Sequence, residues 1–141
     1  MMRAPVWMMA GLLLAILIMD ITTVWMVRSK VISAADMALD AALVGGLIEY
    51  DAKEGTGIID ENQGEELVCR YFRENLKLDS RLENRFLKDT RIELSFVQEG
   101  GKPRAAIQVR TVIQAMAPKI IGLDGIPVTI KKNQYHVSTY K

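Results

Sequence analysis

One cysteine (Cys69) and one histidine (His136) among 141 residues remove several kinds of chemistry. A single thiol excludes an intrachain disulfide framework and a CxxC redox or metal pair, and a single imidazole excludes a multi-histidine metal centre. The chain has no GxGxxG, no GxxxxGKS or GxxxxGKT, no HExxH and no nucleophile elbow, so the common cofactor and phosphate cradles are missing. An excess of one charge is missing too: 18 bases face 17 acids for a net +1, which argues against a nucleic-acid-binding face as the main purpose. The expectation is architecture rather than catalysis: not an enzyme, with no catalytic, cofactor-binding or metal-ligating residues and no nucleic-acid partner.

Charge is absent above all from one end. Only Arg3 and Asp20 are charged within the first 27 positions, and six of the eight methionines sit there. Residues 4–27 read APVWMMAGLLLAILIMDITTVWMV. As a helix this run covers about 36 Å, enough for a hydrocarbon core of about 30 Å. Trp7 and Trp25 are placed to meet the two interfaces as an aromatic belt, Arg28 follows at the polar edge, and Pro5 suits a first helical turn. A cleavable signal peptide is the competing reading, but bulky residues occupy the place of a small-x-small cleavage site. Arg3 on one side is balanced by Arg28 and Lys30 on the other, so the bases do not fix the orientation. Asp20 is the one ionisable side chain inside the run. Such a group calls either for a partner, such as a neighbouring subunit's N-terminal amine, or for water reached near the interface, softened by Thr22 and Thr23.

Helical spacing continues past Arg28 to Gly45 and Gly46, so the span is expected to run on as a stalk over residues 31–54, although the two glycines could equally end it. Ser29, Ser33, Asp36 and Asp40 make a narrow polar stripe. Ala34, Ala35, Ala38, Ala41, Ala42 and Gly45 gather on the opposite side, where small side chains let another helix approach closely. Either further subunits cover this face in a homo- or hetero-oligomer, or the chain's own head does.

Residues 55–141 form the head. A Gly-rich loop at 55–57 precedes Asp60 and Gln63, a capping-box-like start for a helix bearing Leu67, Val68, Tyr71, Phe72 and Leu76. Cys69, on this helix, reads as a small packing residue. Ser80 and Glu83 repeat the signal for a shorter helix with Leu82, Phe86 and Leu87. From Arg91 the period becomes two, and QEGGKP at 98–103 joins two strands as an antiparallel hairpin. A last strand at 128–140 changes parity between Ile130 and Tyr135, which predicts a bulge or turn at 131–134. The fold class is α+β: a long N-terminal transmembrane helix continuing into a stalk, short helices, then a small antiparallel sheet of three or four strands. The domains are a membrane anchor at 1–30, the stalk at 31–54 and the head at 55–141.

Charge is segregated, with residues 31–66 carrying nine acids and one base and residues 102–141 carrying seven bases and one acid. The default is that the basic sheet folds back on the acidic helix of its own chain, with a neighbouring subunit's acidic region as the alternative. The acids of residues 51–66 lack the DxDxDG spacing of a calcium loop and read as a solvated face.

The apolar helix with its acidic residue, the stretch RSKVISAADMALDAALVGGL at 28–47, the small α+β head and the closing IPVTIKKNQYHVSTYK together resemble the TadE/TadG-like, pilin-like (pseudopilin) proteins of the tight-adherence (Flp) pilus and related type IV filament systems. The resemblance implies a minor pilin or assembly component with a cytoplasmic N-terminus and an extracytoplasmic head. Its partners would be the lipid bilayer and other pilin-like subunits or a secretion platform protein. One departure is plain: five residues after Gly11, where a type IV pilin carries its glutamate, stands Ile16, and Asp20 is nine residues on. Prepilin cleavage is therefore not expected. A membrane-tethered binding or regulatory module that does not polymerise is the alternative.

Overall fold

The computed structural model describes residues 3–51 and 56–135. Helix α1 spans Arg3–Gly45 without a break. Two short antiparallel strands follow, β1 (Leu47–Asp51) and β2 (Thr56–Ile59), then helix α2 (Glu61–Leu76). A three-stranded antiparallel sheet in the order β3–β4–β5 completes the head, from β3 (Leu87–Glu99), β4 (Lys102–Ile113) and β5 (Ile126–Tyr135), with the five-residue helix α3 (Met116–Ile120) between β4 and β5. The architecture is thus α+β, with one long apolar N-terminal helix, short helices and a three-stranded sheet.

The stalk ends earlier than 54, because Gly45 and Gly46 terminate α1. Gly46 donates to the Ala42 carbonyl at 2.9 Å and accepts from the Asp60 amide at 2.8 Å, which turns the chain back toward α2. Residues 52–55 lie outside the described residues, as do 136–140 of the expected last strand, His136 among them. Part of the expected Gly-rich loop is instead β2, held to the sheet by Gly57 N–H donating to Gly101 O at 3.1 Å.

Asp60 caps α2 as its spacing predicts, accepting from the Asn62 and Gln63 amides at 3.0 and 3.2 Å. At the far end Lys77 adopts the left-handed conformation (φ 52°) and its amide closes back on the last turn. One core joins the three layers. Val31, Ala35, Ala38, Leu39 and Ala42 of α1 meet Val68 and Phe72 of α2, Leu87 of β3, alternate residues of the central strand β4 and Ile130 of β5. Burial of each larger aliphatic group contributes about 1.5–3 kcal/mol. The hairpin turns at Gly100 and Gly101, both with positive φ (59° and 78°), the geometry that matches a two-residue turn to the twist of its strands.

Two local expectations are corrected. No helix starts at Ser80. The Asp79 carboxylate accepts the amides of Arg81 (2.8 Å) and Glu83 (3.0 Å), and the Asn84 side chain accepts those of Phe86 and Leu87 while donating to Leu76 O. These side-chain bonds satisfy the backbone in a loop conformation and outcompete the helix. The amides of Glu83 and Arg81 also hold the Asp79 carboxyl below the usual range. Nor does β5 bulge at 131–134, since it pairs with β4 in unbroken register from Ile126 to Tyr135. Lys132 and Gln134 occupy the same face as Ile130, and there they meet carboxylates of α1 rather than apolar side chains. The irregularity lies in β3 between Lys88 and Arg91, where the Thr90 and Thr111 hydroxyls bond at 2.9 Å inside the sheet.

Candidate membrane anchor

Two halves of α1 live in different surroundings. From Val27 to Leu43 it is packed into the head, whereas toward the N-terminus it stands free, with Trp7 75% and Trp25 71% exposed. Only 11% of its most apolar 18-residue stretch is buried, unlike the core helix of a soluble domain. The two indoles are about 27 Å apart along the axis. Arg28 is exposed just beyond Trp25.

Asp20 is the exception in the free half, 7% exposed and with partners in its own chain. Its carboxylate accepts the Met116 amide at 2.8 Å and the Ala117 amide. Those are the first two residues of α3, whose N-cap, Ala115, has no side chain able to cap it. Asp20 therefore serves as a cap delivered from 96 residues away, a pairing that gives both the buried carboxyl group and the open helix end a hydrogen-bond partner. Nothing in the sequence reveals it, because neither partner carries a local signal for the other. The connection also holds Met116, Ile120, Ile121 and Leu123, all exposed large apolar side chains. The apolar run IIGL inside an otherwise turn-like segment was the one available hint.

Ala34, Ala35, Ala38 and Ala42 are buried within this chain's own head, and Ala41 is half-buried. Gly45 is exposed on one side, yet a Cβ there would come within 2.7 Å of Leu67 Cδ1. The small residues therefore permit the close approach of α1 and α2. Along the polar stripe the Lys132 ammonium pairs with Asp36 at 3.2 Å and the Gln134 amide donates to Asp40, so the basic sheet does fold back on its own acidic helix. The ion pair is partly exposed and contributes about 0–1 kcal/mol, fixing register more than stability.

A groove of about 720 Å³ runs beside α1, where Thr23, Met26, Lys30 and Met37 face Leu76, Arg85 and Phe86. Among the described residues no three metal-ligating side chains cluster. Cys69 is half-buried, and burial, reinforced by Glu65 and opposed by Arg73, pushes its thiol up. Less thiolate at a given pH means slower attack. Alkylation of Cys69 followed by mass spectrometry is expected to lag a free cysteine at neutral pH and to catch up only above the ordinary thiol range.

Comparison of the chain with models of known protein families, with curated proteins and with solved structures finds no match.

Proposed function

We propose that this is a single-span membrane protein, anchored by the free half of α1, whose α+β head stands outside the cytoplasm and acts through helix packing and head contacts. The observation that carries the reading is the exposed apolar helix bounded by Arg3 and Arg28, which water would not tolerate bare and a bilayer would cover. A helix half in lipid and half packed into a small antiparallel head also supports the pilin-like resemblance. In that form the protein is a structural or assembly component of a Tad-like or type IV filament or secretion system, with sibling subunits or a platform protein as partners.

A second reading has its own support. Four of the six small residues expected to face neighbours are covered by the chain itself, which favours a tethered binding or regulatory module that does not polymerise.

Crosslinking separates the two. In intact membranes the double variant Leu12→Cys/Leu14→Cys, exposed on two faces of the free half of α1 so that each chain can link to two neighbours, is expected to give a ladder of regular multiples for a filament subunit. A single band at monomer or one heteropartner mass would establish the tethered module instead. Protease added to intact cells is expected to remove the head, and complete protection would reverse the orientation.

A further inference from the structure

The Asp20 carboxylate ties α3 to α1 at a definite height, and that height can be compared with a bilayer. A hydrocarbon core of about 30 Å takes about 20 helical residues. The charges at Arg3 and Arg28 leave room for such a window only between residues 4 and 27, and every placement contains Asp20. Asp20 therefore lies between three and seven residues inside the head-side boundary, or about 4–11 Å, and the first turn of α3 lies there with it. A tilted helix needs more residues to cross and brings Asp20 no closer to water.

The segment that this geometry lowers into the boundary is built for it. Met116, Ile120, Ile121 and Leu123 are all exposed, Ile121 by 74%. Most of its backbone donors have partners inside the protein. Met116 and Ala117 give to Asp20, Pro118 has no N–H, and Ile121, Gly122 and Leu123 close onto the carbonyls of Pro118 and Lys119 at 2.8–3.2 Å. Apolar side chains outward and polar backbone inward is the condition for contact with lipid, where an unpaired amide costs several kcal/mol. Lys119, exposed, has a stem long enough to carry its ammonium up to the headgroups.

We infer that α3 and the turn after it form a second membrane contact, seated in the acyl-chain and headgroup boundary of the bilayer beside α1 and latched there by Asp20. This rests on the membrane-span reading above. The contact is continuous with the exposed face of α1, so the protein meets the bilayer through a span and a lateral foot rather than through a span alone.

The test places single spin labels on the full chain reconstituted in phosphatidylcholine–phosphatidylglycerol nanodiscs, in a Cys69→Ser background. Ile121→Cys reports the foot, Leu13→Cys the span and Lys102→Cys the far end of the head. Collision with oxygen and with a water-soluble nickel chelate reads depth. The expected result is that the labels at 121 and 13 favour oxygen over nickel while the label at 102 favours nickel, and that Asp20→Leu moves the label at 121 to the nickel-accessible side. A lipid-buried label at 13 with a water-exposed one at 121 overturns the foot and leaves the span standing. A label at 121 shielded from both reagents means that protein, such as a second copy, covers the segment, and also overturns it. A water-exposed label at 13 overturns the span and the foot together.

Discussion

Phe72→Ala is expected to lower the stability of the head by about 3–5 kcal/mol, the range for a buried aromatic truncated in a core that cannot close around the void. Phe72 is fully buried on the inner face of α2, in the cluster that α1 and the sheet share. The neighbouring elements have little freedom to follow. Gly45 and Gly46 already bring α1 against α2 and its start, and Gly64 sits under the Phe96 ring, where a Cβ would come within 2.8 Å of it. Small domains hold only about 5–15 kcal/mol in all, so one side chain removes a large share. Hydrogen exchange on the reconstituted protein is the measurement. Amides of β4 should lose protection by about two to four orders of magnitude, while those of the free half of α1 keep theirs. Tyr71→Ala, at the adjacent and partly exposed position, should cost about 1 kcal/mol or less. Equal effects at 71 and 72 would show that α2 does not present the face described.

Ala38→Leu is expected to destabilise by about 1–3 kcal/mol, because added methylenes in a filled core force neighbours off their rotamers. Ala38 is completely buried, inside the core that α2, β4 and β5 share with α1. For a head of this size each kcal/mol moves the melting temperature by about 4–8 °C. Val44→Leu, on the exposed side of the same helix, should leave it unchanged, and both variants should still insert into membranes. On sequence grounds alone Ala38 is a probe of contacts between subunits. With its side chain inside the head, lost crosslinking in this variant would report a loosened head as readily as a lost neighbour. An unchanged melting temperature would show that the small face is not packed internally.

What could be read in advance followed from local physical signals. The apolar run of α1, the Asp60 cap of α2 and the strict alternation on either side of Gly100 and Gly101 each carry their own evidence within a few residues. Where the structure departs from those signals, another side chain, distant or adjacent, satisfies the groups concerned. Lys132 and Gln134 looked like a break in strand parity because an inward-facing residue is expected to be apolar, but the surface beneath them is the carboxylate stripe of α1. Ser80 and Glu83 had the spacing of a capping box, yet Asp79 and Asn84 offered the same backbone groups nearer acceptors. Ala34, Ala35, Ala38 and Ala42 of the small-residue stripe lie inside the head, and composition could not say which elements would cover them. For Asp20 the sequence leaves open a partner in a neighbouring subunit or water near the interface, and the amides it meets are those of α3, 96 and 97 residues away in its own chain.

The unbroken course of α1 has a mechanical consequence. If its free half spans a bilayer as proposed, span and head have no hinge between them and turn as one body. From Asp20 to Gly45 the axis is about 38 Å long, so leaning the span by an ordinary 20° carries the far end sideways by about 13 Å. Thinner bilayers increase that lean and thicker ones reduce it. On that proposal the head would be the tip of a lever whose position reports membrane thickness, and a foot at α3 would set the direction in which it swings.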